Sequence, residues 1–350
     1  MTGSLLITSV RPWPHNTVAQ QLDVLCVDGR IRQTGTGLGP LPPDVSQVDG
    51  AGGVLLPAFT QAGSTPYDHE TLDAAVACGT ALLRVAVPVD EERELGPLQE
   101  MLDLRERFAG RLELQVVAIS PGGILRESRN ADLLDAAMDL GADVLGGVDP
   151  AGVDRDPVGS LDKLFALAYK YQRPLDLRLT DPGELGAFQL ELLCERSHAL
   201  GMRGQVSVSH ACALSTVDHC RRVELIDLLA EHDIALSLEV PGTHPVPPLR
   251  QLRRAGVRVG LGCTGPEPDM LGLARQLVFR AGWFAADDLE LAVDLASRGG
   301  AQALGATGIG LIEGAVANLV VVPGASVSDA VLGCAPRTVV VHRGQVVSSA

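Results

Sequence analysis

The sequence predicts an α/β fold: a TIM-like (β/α)8 barrel over residues 51–304, with a small β-sandwich formed by residues 1–50 and 305–350. Three observations predict it. Eight β-type runs alternate with helical runs through the middle of the chain; strands separated by helices of that length form a parallel sheet, which eight units close into a barrel. Further β-type runs stand before and after this alternating region, where they can pair with one another. Aromatic residues are only 3% of the chain against 46% hydrophobic residues, so the core is built from Val, Leu, Ala and Ile, which suits layered α/β packing.

In chain order, Leu5–Val10, Gln21–Val27 and Ile31–Thr34 are expected as short strands, with Asp28-Gly29 supplying a tight turn. The Pro- and Gly-rich stretch Gly35–Asp49 reads as a linker into the main domain. Barrel strands are expected at Val54–Phe59, Ala81–Val87, Leu112–Ala118, Val144–Gly147, Leu175–Leu179, Val206–Ser209, Ala235–Leu238 and Val257–Gly260. Helical periodicity fills the intervals at Asp68–Cys78, Leu98–Phe108, Ala131–Leu140, Leu161–Tyr171, Leu185–Leu200, Val223–Glu231, Pro248–Arg254 and Leu271–Ala281. Asp68 and Ser160 fit N-caps, and Gly141 and Gly201 fit helix stops. An extra helix, Asp287–Arg298, precedes strands at Ala317–Val322, Thr338–His342 and Gln345–Val347.

The formal net charge of −15 repels phosphate backbones and anionic lipid, so neither nucleic acid nor membrane is expected as a partner. Seven cysteines without a C-x-x-C pair suit buried thiols in a reducing compartment. The first residues lack a basic segment followed by a long apolar one, and no apolar run reaches a membrane-spanning length. The expected setting is cytoplasmic.

Chemistry begins at His210. The alternating run Val206-Ser-Val-Ser209 ends on it, which is how a barrel strand delivers a functional side chain to its carboxyl end. Asp149, Asp181, His244 and Cys263 are expected near other strand ends. The glycines of Gly122-Gly-Ile124 and Leu145-Gly-Gly-Val148 lack a following phosphate-binding lysine pattern and read as close packing or turns.

Seven segments, in order, resemble the amidohydrolase superfamily, specifically its cytosine-deaminase-like branch. They are Val27-Asp-Gly-Arg-Ile31, Gly53-Val-Leu-Leu-Pro-Ala-Phe59, Gly79-Thr-Ala-Leu-Leu-Arg84, Val206-Ser-Val-Ser-His-Ala-Cys-Ala-Leu214, Pro245-Val-Pro-Pro-Leu249, Ala255-Gly-Val-Arg-Val-Gly-Leu-Gly262 and Glu313-Gly-Ala-Val-Ala-Asn-Leu-Val320. The last carries Asn318 where the family has Asp. The resemblance implies a barrel-mouth divalent metal held by H-x-H after strand one, a His on strands five and six, and an Asp after strand eight. Those positions fall on Gly63, Thr65, Arg178, His210 and Thr264, and only His210 retains the family's ligand. Asp181 takes the place of the family's proton-shuttling Glu, one methylene shorter. The loops after strand one and between Thr264 and Asp269 are short beside the family's.

No resident metal is therefore expected; the alternative is one zinc or iron in a rebuilt site recruiting Asp149, Asp181, His244 or Cys263. Arg178 has two readings: binding a ligand's carboxylate or phosphate, or filling the metal's former space in an ion pair with Asp181 or Asp149. Cys263 across from His210 invites a thiolate nucleophile, set against a small buried thiol of the kind expected for Cys212 and Cys220. His69 is expected to be exposed. The expected protein is metal-free, binding a small polar ligand or a protein partner through Arg178, His244, Cys263, Thr264 and Asp149. The alternative is a divergent hydrolase of a non-peptide C–N bond in a small cyclic or amide compound, with Asp181 and His210 catalytic. The resemblance also leaves homo-oligomer formation open.

Overall fold

The computed structural model describes residues 3–14, 20–65, 67–240, 242, 245–263, 265 and 267–349, the side chains of residues 64 and 65 excepted. The N-terminal strands are β1 (Ser4–Pro12), β2 (Leu22–Val27), β3 (Arg30–Gly35), β4 (Val45–Asp49) and β5 (Val54–Pro57). The barrel strands, one to eight, are β6 (Phe59–Thr65), β7 (Thr80–Pro88), β8 (Glu113–Ile119), β9 (Val144–Val148), β10 (Leu175–Arg178), β11 (Val206–Ser209), β12 (Ala235–Glu239) and β13 (Val259–Gly262). They form one parallel sheet in sequence order. Strand β13 returns beside β6: a Cβ on Gly262 would lie 2.5 Å from Gly63 Cα, so only glycines let the two backbones come this close. The tail strands β14 (Leu319–Val322), β15 (Val339–His342) and β16 (Gln345–Ser349) join the N-terminal strands in a mixed sheet of order β16-β15-β14-β5-β1-β2-β3, with β4 parallel to β1.

Two strand assignments need correction. The run Val54–Phe59 splits at Ala58: Val54–Pro57 pairs antiparallel with β14, and the barrel begins only at Phe59. The handover is visible in the hydrogen bonds, since Ala58 N–H goes to Asn318 O (2.9 Å) while Phe59 N–H goes to Gly79 O (2.9 Å). The stretch taken as a linker contains β4, whose Val45–Asp49 backbone pairs with Ser4–Thr8; a pattern of Val and Asp among turn residues concealed it. Asp28 and Gly29 both take positive φ (50° and 75°), as a tight hairpin turn requires.

Helices α1 (His69–Ala77), α2 (Gly96–Phe108), α3 (Asn130–Leu140), α4 (Pro157–Tyr171) and α5 (Gly183–Ala199) cover the first half of the barrel. A four-residue α6 (Ala213–Thr216), α7 (His219–Glu231), α8 (Leu249–Arg254) and α9 (Met270–Ala281) cover the second. Asp68 caps α1 by accepting from Thr71 N–H, and Gly141 ends α3 in the left-handed region. The N-cap of α4 is Asp156 rather than Ser160: Pro157 opens the helix a turn early, and Ser160 is buried with its hydroxyl on Asp154 (2.6 Å). The last expected helix breaks at Ser297 into α10 (Ala286–Ala296) and α11 (Arg298–Ala303), and α12 (Val327–Gly333) precedes the closing hairpin.

The main core lies between the barrel and its helices and is dominated by Leu, Val and Ala. A second cluster, with Ile7, Leu55, Ala317 and Val341, sits on the mixed sheet. Inside the barrel, Arg84 Nη1 donates to Asp176 Oδ1 (2.8 Å) and Ser207 Oγ (2.7 Å), and its Nε donates to Gln115 (2.8 Å). This buried ion pair is a polar floor below the strand ends. The double glycine of β9 packs as expected, since a Cβ on Gly147 would stand 2.6 Å from Leu164.

Candidate functional site

Side chains at the carboxyl ends of β9 to β13 define the barrel mouth. Asp149 follows β9 with φ 29° and ψ 71°, an uncommon conformation for a non-glycine residue, and opens a single π-helical turn, Pro150–Asp154. Its carboxylate clasps the loop after β10, accepting from Thr180 N–H (2.6 Å) and Thr180 Oγ1 (2.5 Å). Asp181 accepts from Gln189 Nε2 (2.9 Å), while the other end of that buried amide accepts from Ala151 N–H (3.0 Å). Gln189 therefore ties the loops after strands four and five together.

His210 has φ 70° and Ala211 φ 44°, two successive left-handed residues at the end of strand six. Such strain is held only where surrounding structure demands it, and it clusters at ligand sites. The His210 N–H donates to Ser237 O (3.3 Å) on the neighbouring strand.

The mouth also holds a carboxyl that the sequence reading missed. Glu239 is the last residue of β12, 6% exposed, and its Oε1 accepts from Ser237 Oγ (3.1 Å). Its Oε2 is buried without a hydrogen-bond partner, as is Ser209 Oγ at the end of β11. Burial pushes the Glu239 carboxyl up to about 8, helped by nearby Asp176 and opposed by the Ser237 hydrogen bond and the Arg178 guanidinium. At neutral pH the protonated acid therefore predominates. Sequence reasoning ended strand seven at Leu238, one residue short. The signal was there in the alternation Ala235-Leu-Ser-Leu-Glu239, which carries a polar side chain to the inward register just as Val206–Ser209 does.

This carboxyl lies where a side chain at position 63 would go. A Cβ built on Gly63 meets Glu239 Oε1 at 2.8 Å and Oε2 at 2.9 Å. Arg178, the last residue of β10, is half-buried and acts on Glu239 through its charge. Asp149, one partner expected for Arg178, accepts from Thr180, and Asp181, the other, accepts from Gln189; Glu239 lies within the field of Arg178.

Cys263 is buried in a small polar cluster. Its sulfur lies 3.4 Å from Gln61 Nε2 and 3.4 Å from Tyr67 Oη, and its thiol donates to Gly265 O. Burial and the adjacent Cys263 raise the Tyr67 phenol well above its usual range. Cys212 is buried as expected, its thiol pushed up to about 11 by burial with Asp149 and Asp181 nearby. Cys220 is instead exposed, because the start of α7 turns it to solvent. His69 is exposed and lies 3.3 Å from Asp73 on the next helical turn. His244 and Thr264 lie outside the described residues, as does the side chain of Thr65. Among the described residues, no group of three or more His, Cys, Asp or Glu side chains is placed to hold a metal ion, and no helix is long and apolar enough to cross a membrane.

A parallel barrel with polar strand ends and a mixed sheet from both termini defines a class, and the sequence places this chain in it: the chain belongs to the amidohydrolase family, whose model matches residues 55–348. Within that family it is similar to the N-isopropylammelide isopropylaminohydrolase of Burkholderia multivorans ATCC 17616, with a TM-score of 0.93 and 32% identity over 99% of this chain and 98% of that one. It is 28% identical over 280 residues to the N-isopropylammelide isopropyl amidohydrolase of Pseudomonas sp. (strain ADP), covering 77% of this chain and 69% of that protein. The fold is shared with the 5-methylcytosine deaminase of Klebsiella pneumoniae, at a TM-score of 0.83 and 23% identity over 99% and 98% of the two chains.

Proposed function

We propose that this chain binds a small polar molecule at the barrel mouth without the family's metal, and that it has given up metal-assisted hydrolysis. The observation that carries the reading is that two family ligand positions bear residues with no donor to offer a metal. Position 63 has no side chain, and the Glu239 carboxyl takes the space. Position 178 carries a guanidinium, which has no lone pair to offer and repels a cation. A hydrolytic centre needs about three protein ligands and an open position, and among the described residues no group of three His, Cys, Asp or Glu side chains is placed to supply them.

The same groups suit ligand binding. Arg178 offers a fixed cationic fork, Glu239 a carboxyl that can both donate and accept, and Ser209 a buried hydroxyl with free hydrogen-bonding capacity. Asp149, Asp181 and His210 frame them on neighbouring strand ends. The proteins it resembles are named for N-isopropylammelide and 5-methylcytosine, which makes those two compounds the first ligands to try.

The test is elemental analysis of protein made with zinc, iron and manganese supplied and without a metal-binding tag. Far less than one metal per chain, together with a thermal shift by either compound that Arg178→Ala abolishes, is the expected result. About one equivalent of tightly held metal would overturn the reading and favour hydrolysis of a C–N bond with His210 in a rebuilt site.

A further inference from the structure

Two buried atoms at the base of the mouth, Glu239 Oε2 and Ser209 Oγ, have no hydrogen-bond partner. Their residues are 6% and 1% exposed. A buried polar atom left open costs stability, so a pair of them at neighbouring strand ends points to a partner that binds there.

Strand register brings the two together. Arg178, Ser209 and Ser237 stand side by side on β10, β11 and β12, with about 4.8 Å from strand to strand. Ser207 points into the barrel, where its hydroxyl donates to Asp176 Oδ1 (2.6 Å); alternation puts Ser209, two residues on, on the same face. Ser237 also points inward, since a Cβ on Gly262 would lie 2.6 Å from its Oγ. Its hydroxyl donates to Glu239 Oε1 (3.1 Å), which leaves Oε2 as the open oxygen of that carboxyl. The row therefore presents two open groups, with the Arg178 guanidinium bearing on Glu239 through its charge.

The chemistry of the open groups selects what can join them. A serine hydroxyl donates, and Glu239, whose acid form predominates at neutral pH, has a proton to give. A cationic ligand would meet two donors and the repulsion of Arg178. An anionic oxygen instead accepts from both groups in charge-assisted hydrogen bonds and gains from the same positive field. We infer that the base of the mouth is a carboxylate subsite, in which Ser209 Oγ and Glu239 Oε2 both donate to a ligand's carboxylate while Arg178 supplies the field. The inference rests on the metal-free reading of the mouth and deepens it. The molecule bound there carries a carboxylate, and Ser209 and Glu239 set the preference for it.

Acetate is the probe, because its carboxylate is small enough to reach two buried atoms. Equilibrium dialysis of the native chain against isotopically labelled acetate, with metal content measured on the same sample, reads the site. Saturable binding is expected, weakened about tenfold or more in Ser209→Ala and in Glu239→Leu, the factor that one hydrogen bond to a charged group represents. Glu239→Gln, which keeps an N–H donor at the open position, should restore most of the affinity. Neutral acetamide should compete about tenfold less well than acetate, and that preference should shrink in Ser209→Ala and Glu239→Leu, which lost packing alone would not cause. No saturable binding, with water alone meeting the two groups, would overturn the inference. So would equal competition by acetamide, or native affinity in either Ser209→Ala or Glu239→Leu. Loss of acetate in Arg178→Ala alone would remove this subsite and leave the metal-free mouth standing. About one equivalent of tightly held metal, with acetate released by a chelator, would overturn the reading of the mouth and the subsite with it.

Discussion

Replacing Glu239 by Gln tests the central claim about the mouth, that a protonated acid is packed where a metal ligand's side chain would stand. Glutamine keeps the size and neutrality of the protonated acid but has no proton to lose. The folded carboxyl is held up to about 8 against 4.5 for the free group. The unfolded chain therefore releases this proton first as pH rises, so the folded state binds more protons between those values, and stability from Glu239 falls with rising pH. Its contribution is full below pH 4.5 and is lost as pH climbs to about 8. At about 1.36 kcal/mol per pH unit, the whole span amounts to about 5 kcal/mol. Urea unfolding of the native and Glu239→Gln proteins at about pH 5 and about pH 8 isolates the effect, because every other titrating group is common to both. The variant should gain several kcal/mol relative to native at the higher pH. A stability difference that is the same at both ends would refute the buried, protonated Glu239.

Other outcomes follow from the same structure. Asp176→Ala leaves the Arg84 guanidinium buried without its carboxylate and should cost about 3–5 kcal/mol in urea unfolding; replacing Arg84 by Met and Asp176 by Leu together should cost less than Asp176→Ala alone. Gly63→Ala drives a methyl against Glu239 and Gly262 Cα at 2.8 Å and should cost about 1–3 kcal/mol, with a smaller cost in a Glu239→Ala background. His342 is buried and held neutral down to about 4, from 6.5 for the free imidazole, by burial and the Arg343 charge. The unfolded chain takes up this proton first as pH falls, so stability present above pH 6.5 is lost toward pH 4; His342→Leu should flatten that loss in acid unfolding, and an unchanged acid limb would rule His342 out as its source.

The sequence alone determined the alternation of strands and helices, the identity of His210 as a strand-end side chain, and the chemical type of residue at each family ligand position. These are local properties: hydrophobic period, capping chemistry and spacing are written in consecutive residues. Where a strand stops was less legible, because one residue decides which sheet receives each backbone group. Ala58 passes the chain from mixed sheet to barrel, and Glu239 extends strand seven past the point where alternation looked finished. Cys220 fell on the wrong side because burial belongs to the packed helix and not to the residue type. Only the tertiary structure could decide that Glu239, from strand seven, lies against Gly63, from strand one, or that Arg178 bears on it from strand five. Those residues are far apart in the chain and meet because barrel closure brings the first and last strands together. The desolvation that keeps a carboxyl protonated exists only after that closure has removed the water.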